Sequence, residues 1–282
     1  MKGFVKCIIA GAVILGIGIA ILIIALAVNG WKFSPNFEFE TKEYTSTASD
    51  ITKLSVEFNA GKLQIEYRDD DSEEIYISYP VAEGYQTAIT EKDHTLSIVN
   101  EVDIYGNMFS GCNVSCGNWA INIPATTVVK IPKNTICDLS INLNAGTVEI
   151  PDSDFTKVSL KVNAGSCHVG RVGASELFEI DLRAGSVTVE GVNTAKLDCE
   201  VHAGSANVNA ITSKETNVEV HAGAANIAFN GIKSQYVATV KVTAGSCNGL
   251  STQGSDVPSM NPDKQKINVK VSAGSCNVNF LG

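Results

Sequence analysis

Proline, aromatic residues and positive charge are all scarce in this chain. Seven prolines in 282 residues, with 24 glycines, exclude a collagen repeat and a proline-rich spacer. Charged residues make up 18%, below the usual quarter, and the shortfall is on the basic side, with 21 Lys+Arg against 30 Asp+Glu. Lys2 and Lys6 are the only charges before Lys32, so the chain beyond Lys6 carries 19 − 30 = −11. A body of that sign lacks the basic footprint that nucleic acid requires and is ill suited to docking on anionic headgroups. No nucleophile elbow, phosphate loop or zincin helix motif occurs, and no segment of the body has a helical period. The carboxylates and basic residues do not converge as they do in polysaccharide-cleaving enzymes. The sequence therefore predicts no enzyme and no cofactor.

One long apolar run is present. Residues 7–28, CIIAGAVILGIGIAILIIALAV, hold no charge over 22 positions. As a helix they would measure about 33 Å, enough to cross a bilayer core. Lys2 and Lys6 place the preceding tail (1–6) in the cytoplasm, and Trp31 fits an interfacial anchor. The expectation is a single-pass protein of the cell membrane with its C-terminal body extracellular. A cleaved signal peptide, with Ala25-Leu26-Ala27 as the processing site, is the competing reading, although the run exceeds a usual h-region. Residues 29–50 read as a short spacer or a first irregular strand.

The body is dominated by a repeat. Ala-Gly recurs with similar flanks at Gly61, Gly146, Gly165, Gly185, Gly204, Gly223, Gly245 and Gly274. From Gly146 onward the intervals are 19, 20, 19, 19, 22 and 29 residues. Three positions before the glycine stand Phe58, Leu143, Val162, Leu182, Val201, Val220, Val242 and Val271, and five before are again apolar. The positions between are polar, a strict period of two. After the glycine the phase changes: the second and fourth positions are the apolar ones, as in Val187 and Val189. A straight strand cannot reverse its faces in this way, so each glycine marks a corner. One unit of about 19–20 residues cannot bury its apolar face alone and needs a stacked neighbour.

The predicted fold is thus all-β: a single-stranded parallel β-solenoid of regular coils over 139–282, with a less regular β-rich part over 51–138 and the membrane helix in front. The 85 residues between Gly61 and Gly146 would hold about four units of that length, but their irregular pattern reads as widened, imperfect coils or a β-rich cap. Arg171–Ser175 and Gly191–Thr194 read as variable turns, and 251–264 as a long loop. The final strand, ending at Phe280, would be an exposed edge at which copies of the chain associate.

The strand–Ala-Gly–strand repeat, the stretch INIPATTVVKIPKN (121–134) and the single N-terminal span together resemble the bacterial putative-adhesin β-strand-repeat family, a domain of unknown function in Gram-positive envelope proteins. The resemblance covers 51–280. It implies a cell-surface adhesion or scaffold role and brings no catalytic residues. Family members near envelope-stress genes imply a regulatory or sensing partner of membrane proteins as the alternative. The partners expected are the membrane, through the N-terminal helix, and an envelope polymer or surface protein.

Three constellations carry candidate chemistry. Glu200 and His202 recur 19 residues later as Glu219 and His221, so one coil should stack on the next with all four side chains outward. Two imidazoles and two carboxylates can hold a borderline divalent metal, or form an ordinary solvated face that responds to pH between 5 and 8. Cys112 and Cys116, in GCNVSCGN, are candidates for a disulfide in an exported protein, or for a zinc site with a distant ligand. Cys167, Cys247 and Cys276 share an inward column and read as small core residues, with Cys247 and Cys276 on consecutive coils and so within reach of a disulfide. His168, Thr188, Asn207, Asn226, Asn248 and Asn277 form an outward column that can hydrogen-bond along a stack. No aromatic platform lies in that column, which weighs against a sugar-binding site.

Overall fold

The computed structural model describes residues 39–68, 70, 72–102, 125–132, 137–250 and 264–282. The membrane span at 7–28, Cys112, Cys116 and the 251–263 loop lie outside them. No helix among the described residues is long and apolar enough to cross a membrane. Among the described residues the only helical elements are two single 3-10 turns, and the other regular structure is β-strand.

Chain order gives β1 (Glu40–Thr47), β2 (Lys53–Phe58), β3 (Lys62–Tyr67), β4 (Glu74–Val81), β5 (Tyr85–Lys92) and β6 (Thr95–Val102). Next come β7 (Thr126–Ile131), β8 (Asp138–Leu143), β9 (Thr147–Ile150), β10 (Ser153–Val162), β11 (Ser166–Leu182) and β12 (Ser186–Val201). The last are β13 (Ser205–Val220), β14 (Ala224–Phe229), β15 (Tyr236–Val242), β16 (Ser246–Asn248), β17 (Gln265–Val271) and β18 (Ser275–Phe280).

The segments before the glycines stack in parallel as a first wall, in the order β6, β2, β8, β10, β11, β12, β13, β17, β15. The segments after them stack as a second wall, in the order β7, β3, β9, β11, β12, β13, β14, β18, β16. Equivalent residues of successive units are direct partners, as in Cys199 with Val218 and Val189 with Val208. The predicted phase change is present: Val201 before the corner and Val208 after it are both fully buried in one interior. A continuous core from Ala48 to Val278 fills the stack.

The corners explain the glycines. A Cβ on Gly146, Gly165, Gly185, Gly204, Gly223, Gly274 or Gly245 would come within 2.0–2.6 Å of the carbonyl oxygen of the next corner glycine. That oxygen accepts a hydrogen bond from the amide just after the neighbouring glycine, as in Ser186 N–H to Gly165 O at 2.9 Å. Ladder bonding therefore runs straight through the bend and leaves no room for a side chain. Left-handed φ is found at Gly61 through Gly204, whereas Gly223, Gly245 and Gly274 lack it. Close approach, common to all, is the shared requirement.

Three sequence expectations are corrected, while the described part of the stretch between Gly61 and Gly146 holds both a coil and a β-rich cap, the two forms expected of it. Gly146 packs directly on Gly61, so the intervening residues do not form four further coils. They supply one coil, β6 with β7, which lies outside the Gly61 coil, and two antiparallel cap strands, β4 and β5. Residues 40–47, read as spacer or irregular strand, form a regular strand on β4. The segments read as variable turns are strand as well: Val172 pairs with Val192 and Ala174 with Thr194. Val172, Ala174, Val192 and Ile211 are buried, which makes this stretch a short third wall. Finally, the C-terminal coil is not the edge of the stack. β17 and β18 sit between β13–β14 and β15–β16, so the outermost coil is residues 236–248. Its inward residues Ala238, Val240, Val242 and Cys247 are only partly buried. Any association through an open end would use that coil.

Candidate functional site

Strand alternation turns the fourth and second residues before each corner glycine outward on the first wall. Along the stack the fourth-before row reads Lys161, Asp181, Glu200, Glu219, Lys270, Lys241. The row beside it, two residues earlier in each coil, reads Ser159, Glu179, Asp198, Asn217, Asn268, Thr239. From Asp181 and Glu179 to Lys241 and Thr239 these rows line an open groove of about 560 Å³ whose centre is acidic and whose far end is basic. Parallel strands about 4.8 Å apart bring these like charges close together, which is unfavourable without compensation.

Some compensation is internal. Lys196 donates to Asp198 at 2.7 Å, and Asn217 donates to the other Asp198 oxygen at 2.8 Å. Lys270 donates to Glu219, and that bond holds the Glu219 carboxyl below its ordinary range. The Lys270 contact was hidden in the sequence, because 51 residues separate the two and their coils are adjacent only through the permuted stacking order.

Glu200, His202, Glu219 and His221 are brought together as the spacing predicts. Glu200 is the cross-strand partner of Glu219. The imidazoles of His202 and His221 stack with centroids 4.8 Å apart and planes 5° from parallel. Both Nε2 atoms approach the same Glu200 Oε1, at 3.3 Å for His202 and 3.1 Å for His221. Glu219 Oε1 lies 3.5 Å from His221 Nε2. Asp181, absent from the predicted set, completes the cluster with Oδ1 3.7 Å from His202 Nε2. The signal that would have found it is its place in the same row, one coil before Glu200.

The amide column of the second wall is a hydrogen-bonded ladder, with Asn226 donating to Asn207 at 2.7 Å, Asn277 to Asn226 at 2.8 Å and Asn248 to Asn277 at 2.8 Å. A second ladder joins Asn59, Asn144 and Asn163 on the first wall. These amides are engaged with each other, which makes them structural elements of the stack.

The five described cysteines are free thiols. Burial pushes the Cys167 and Cys199 thiols up to about 12. Cys247 and Cys276 face each other in register, and their hydrogen bond lowers the Cys247 thiol and raises that of Cys276. Cys247, on the outermost coil, is also the more exposed of the two. Iodoacetamide at pH 8 should therefore modify Cys247 first among the described cysteines and leave Cys167 and Cys199 untouched until the stack unfolds. Peptide mapping with modification of Cys199 as early as Cys247 would contradict this packing.

Comparison with known proteins adds the following. A putative adhesin from Bacteroides fragilis is 14% identical, with 88% of this chain and 100% of that chain covered and a TM-score of 0.49. A putative cell adhesion protein from Clostridium sporogenes is 13% identical, covering 86% of this chain and 100% of that one, with a TM-score of 0.35. A putative lipid binding protein from Parabacteroides distasonis is 14% identical, covering 89% and 99%, with a TM-score of 0.39. No curated protein matches. The family described as Toastrack DUF4097 matches residues 51–280, the whole of the stack with its corner glycines, and the chain belongs to that family.

Proposed function

We propose that the chain is an exported surface-binding protein, held in the cell membrane by residues 7–28, whose solenoid presents the first wall to an envelope polymer or surface protein. The observation that carries this reading is the groove of aligned carboxylates and amides, repeated at coil spacing and held on a rigid stack. Repetition favours a repetitive partner, because each further coil adds a contact that is already positioned. The acidic centre favours ammonium groups or basic peptide segments on that partner, and no covalent chemistry is required. The 22-residue apolar run and its preceding lysines support the tether and its orientation.

Full-length protein in detergent should be retained on isolated envelope material. Retention should weaken with salt, since exposed charges are screened over about 10 Å at 0.1 M. Glu179→Lys combined with Asp198→Lys should lower retention by roughly tenfold or more through lost electrostatic complementarity. Retention unchanged by both salt and charge reversal would move binding away from this groove. In cells, the protein should stay in the membrane pellet after alkaline extraction, and its body should be digested by protease added outside. Release into the supernatant would remove the tether from the reading.

A further inference from the structure

Beside the acidic groove, which Asp181 and Glu200 line, nitrogen and oxygen ligands converge. Glu200, His202 and His221 each offer a ligand atom, and the three atoms lie within 4.8 Å of one another. We propose that these three residues, with Asp181 as the fourth ligand, bind one borderline divalent metal ion of the zinc class.

The oxygen–nitrogen distances come close to that class, and a bound ion would draw in the separation of up to 4.8 Å among the three ligand atoms. Bonds of about 2.0–2.2 Å in a tetrahedral site place ligand atoms roughly 3.3–3.6 Å apart. Here His221 Nε2 and His202 Nε2 stand 3.1 and 3.3 Å from Glu200 Oε1, and Asp181 Oδ1 stands 3.7 Å from His202 Nε2. The parallel imidazoles present both Nε2 atoms on one side, towards the same carboxylate oxygen. Their ring planes need only a turn about χ2, a broad torsion, for the lone pairs to converge.

Asp181 is preferred over Glu219 as the fourth ligand for a specific reason. Glu219 is already taken by the Lys270 ammonium. Asp181 Oδ1, in contrast, is buried and has no hydrogen-bond partner, although it faces His202. Lys161 reaches only the other oxygen, at 3.9 Å. A buried carboxylate oxygen without a donor is costly, and a cation would satisfy it. Two imidazoles with two carboxylates favour zinc and its neighbours over calcium or magnesium, which prefer all-oxygen shells. The ligands come from three successive coils, β11, β12 and β13, so a bound ion would pin three layers of the first wall.

Tag-free full-length protein in detergent is stripped with chelator and titrated with zinc chloride by calorimetry. The parent should bind one equivalent that is absent from His202→Ala/His221→Ala. Asp181→Asn should weaken binding about tenfold or more, and Glu219→Gln should change it by less than about threefold. Cobalt at the same site should give d–d absorption without the thiolate charge-transfer band that cysteine ligation produces. Thermal unfolding of each metal-free variant at the parent temperature shows that the fold is intact, and His202→Gln serves if the double variant is unstable. Equal zinc binding by the parent and the histidine variants overturns the site. Magnesium binding as tight as zinc also overturns it. Loss in Glu219→Gln with retention in Asp181→Asn overturns the fourth ligand.

Discussion

Gly185→Ala is expected to destabilise the stack by about 2–5 kcal/mol, a large fraction of the stability of an ordinary domain. Two costs add. Gly185 has φ +104°, where an L side chain is strained by roughly 1–2 kcal/mol. The new Cβ would also lie 2.0 Å from the carbonyl oxygen of Gly165, an atom that cannot rotate away. Coils must part to admit it, which breaks the Ser186–Gly165 hydrogen bond and loosens the Val187 and Leu182 ladders beside it, an overpacking cost of about 1–3 kcal/mol. Gly191→Ala is the internal control. Its φ lies outside the left-handed region, and its Cβ would meet the flexible Arg171 Cγ at 3.2 Å and Ala210 Cβ at 3.6 Å. That variant should stay within about 1 kcal/mol of the parent, helped by reduced freedom of its unfolded chain. Urea unfolding followed by circular dichroism distinguishes the two. Equal midpoints for both variants would remove close backbone approach as the reason for the corner glycine.

The same physics sets what the sequence could disclose. Polarity reports side-chain direction, so the alternation up to Val201 and its phase change before Val208 were legible, and both residues share one interior. Even spacing reports register, so the pairing of Glu200 with Glu219 followed from the 19-residue interval. Segments such as Val172–Ala174 were misread because Gly173 gives them the composition of a turn. In the structure that glycine lies against Asp154 Oδ1 of the preceding coil, at 2.2 Å from where a Cβ would be. Stacking order was not legible at all. Every coil carries the same inward columns, so any coil can follow any other, and nothing local to Gly245 or Gly274 says which lies outermost. The Glu219–Lys270 pair depends on that order and was lost with it. So was the direct contact of Gly61 with Gly146, which left Asp181 as the one missed cluster member that row spacing alone could have supplied.

Deleting residues 264–282 should unfold more than it removes. β17 is the only described partner of β15, and β18 the only described partner of β16. Their removal takes away the ladder bonds of β15, the wall on which Val240 and Val242 rest, and Phe280, whose ring lies 5.2 Å from Tyr236 and 5.8 Å from Phe229. The connection from β14 to β15 is shaped for a step over an intervening coil. Gly231 holds φ +96° and accepts the amide of Gly282, and Tyr236 donates to the Asn230 carbonyl. Hydrogen exchange in the truncated chain should therefore show Val237–Val242 amides losing protection by on the order of 100-fold or more. β11 and β12 should remain protected, because coils in a solenoid sense only their neighbours. Val271→Asp, which places a charge in a fully buried position of β17, should give the same pattern in the full-length chain. The arrangement also constrains folding. If 236–250 docked first, its backbone edge would have to open again to admit β17 and β18, so the last two coils should gain protection together during refolding. Protection of β15 that survives the truncation, or that precedes β17 in pulse labelling, would show the outer coil docking directly on β13 and would refute the interleaved order.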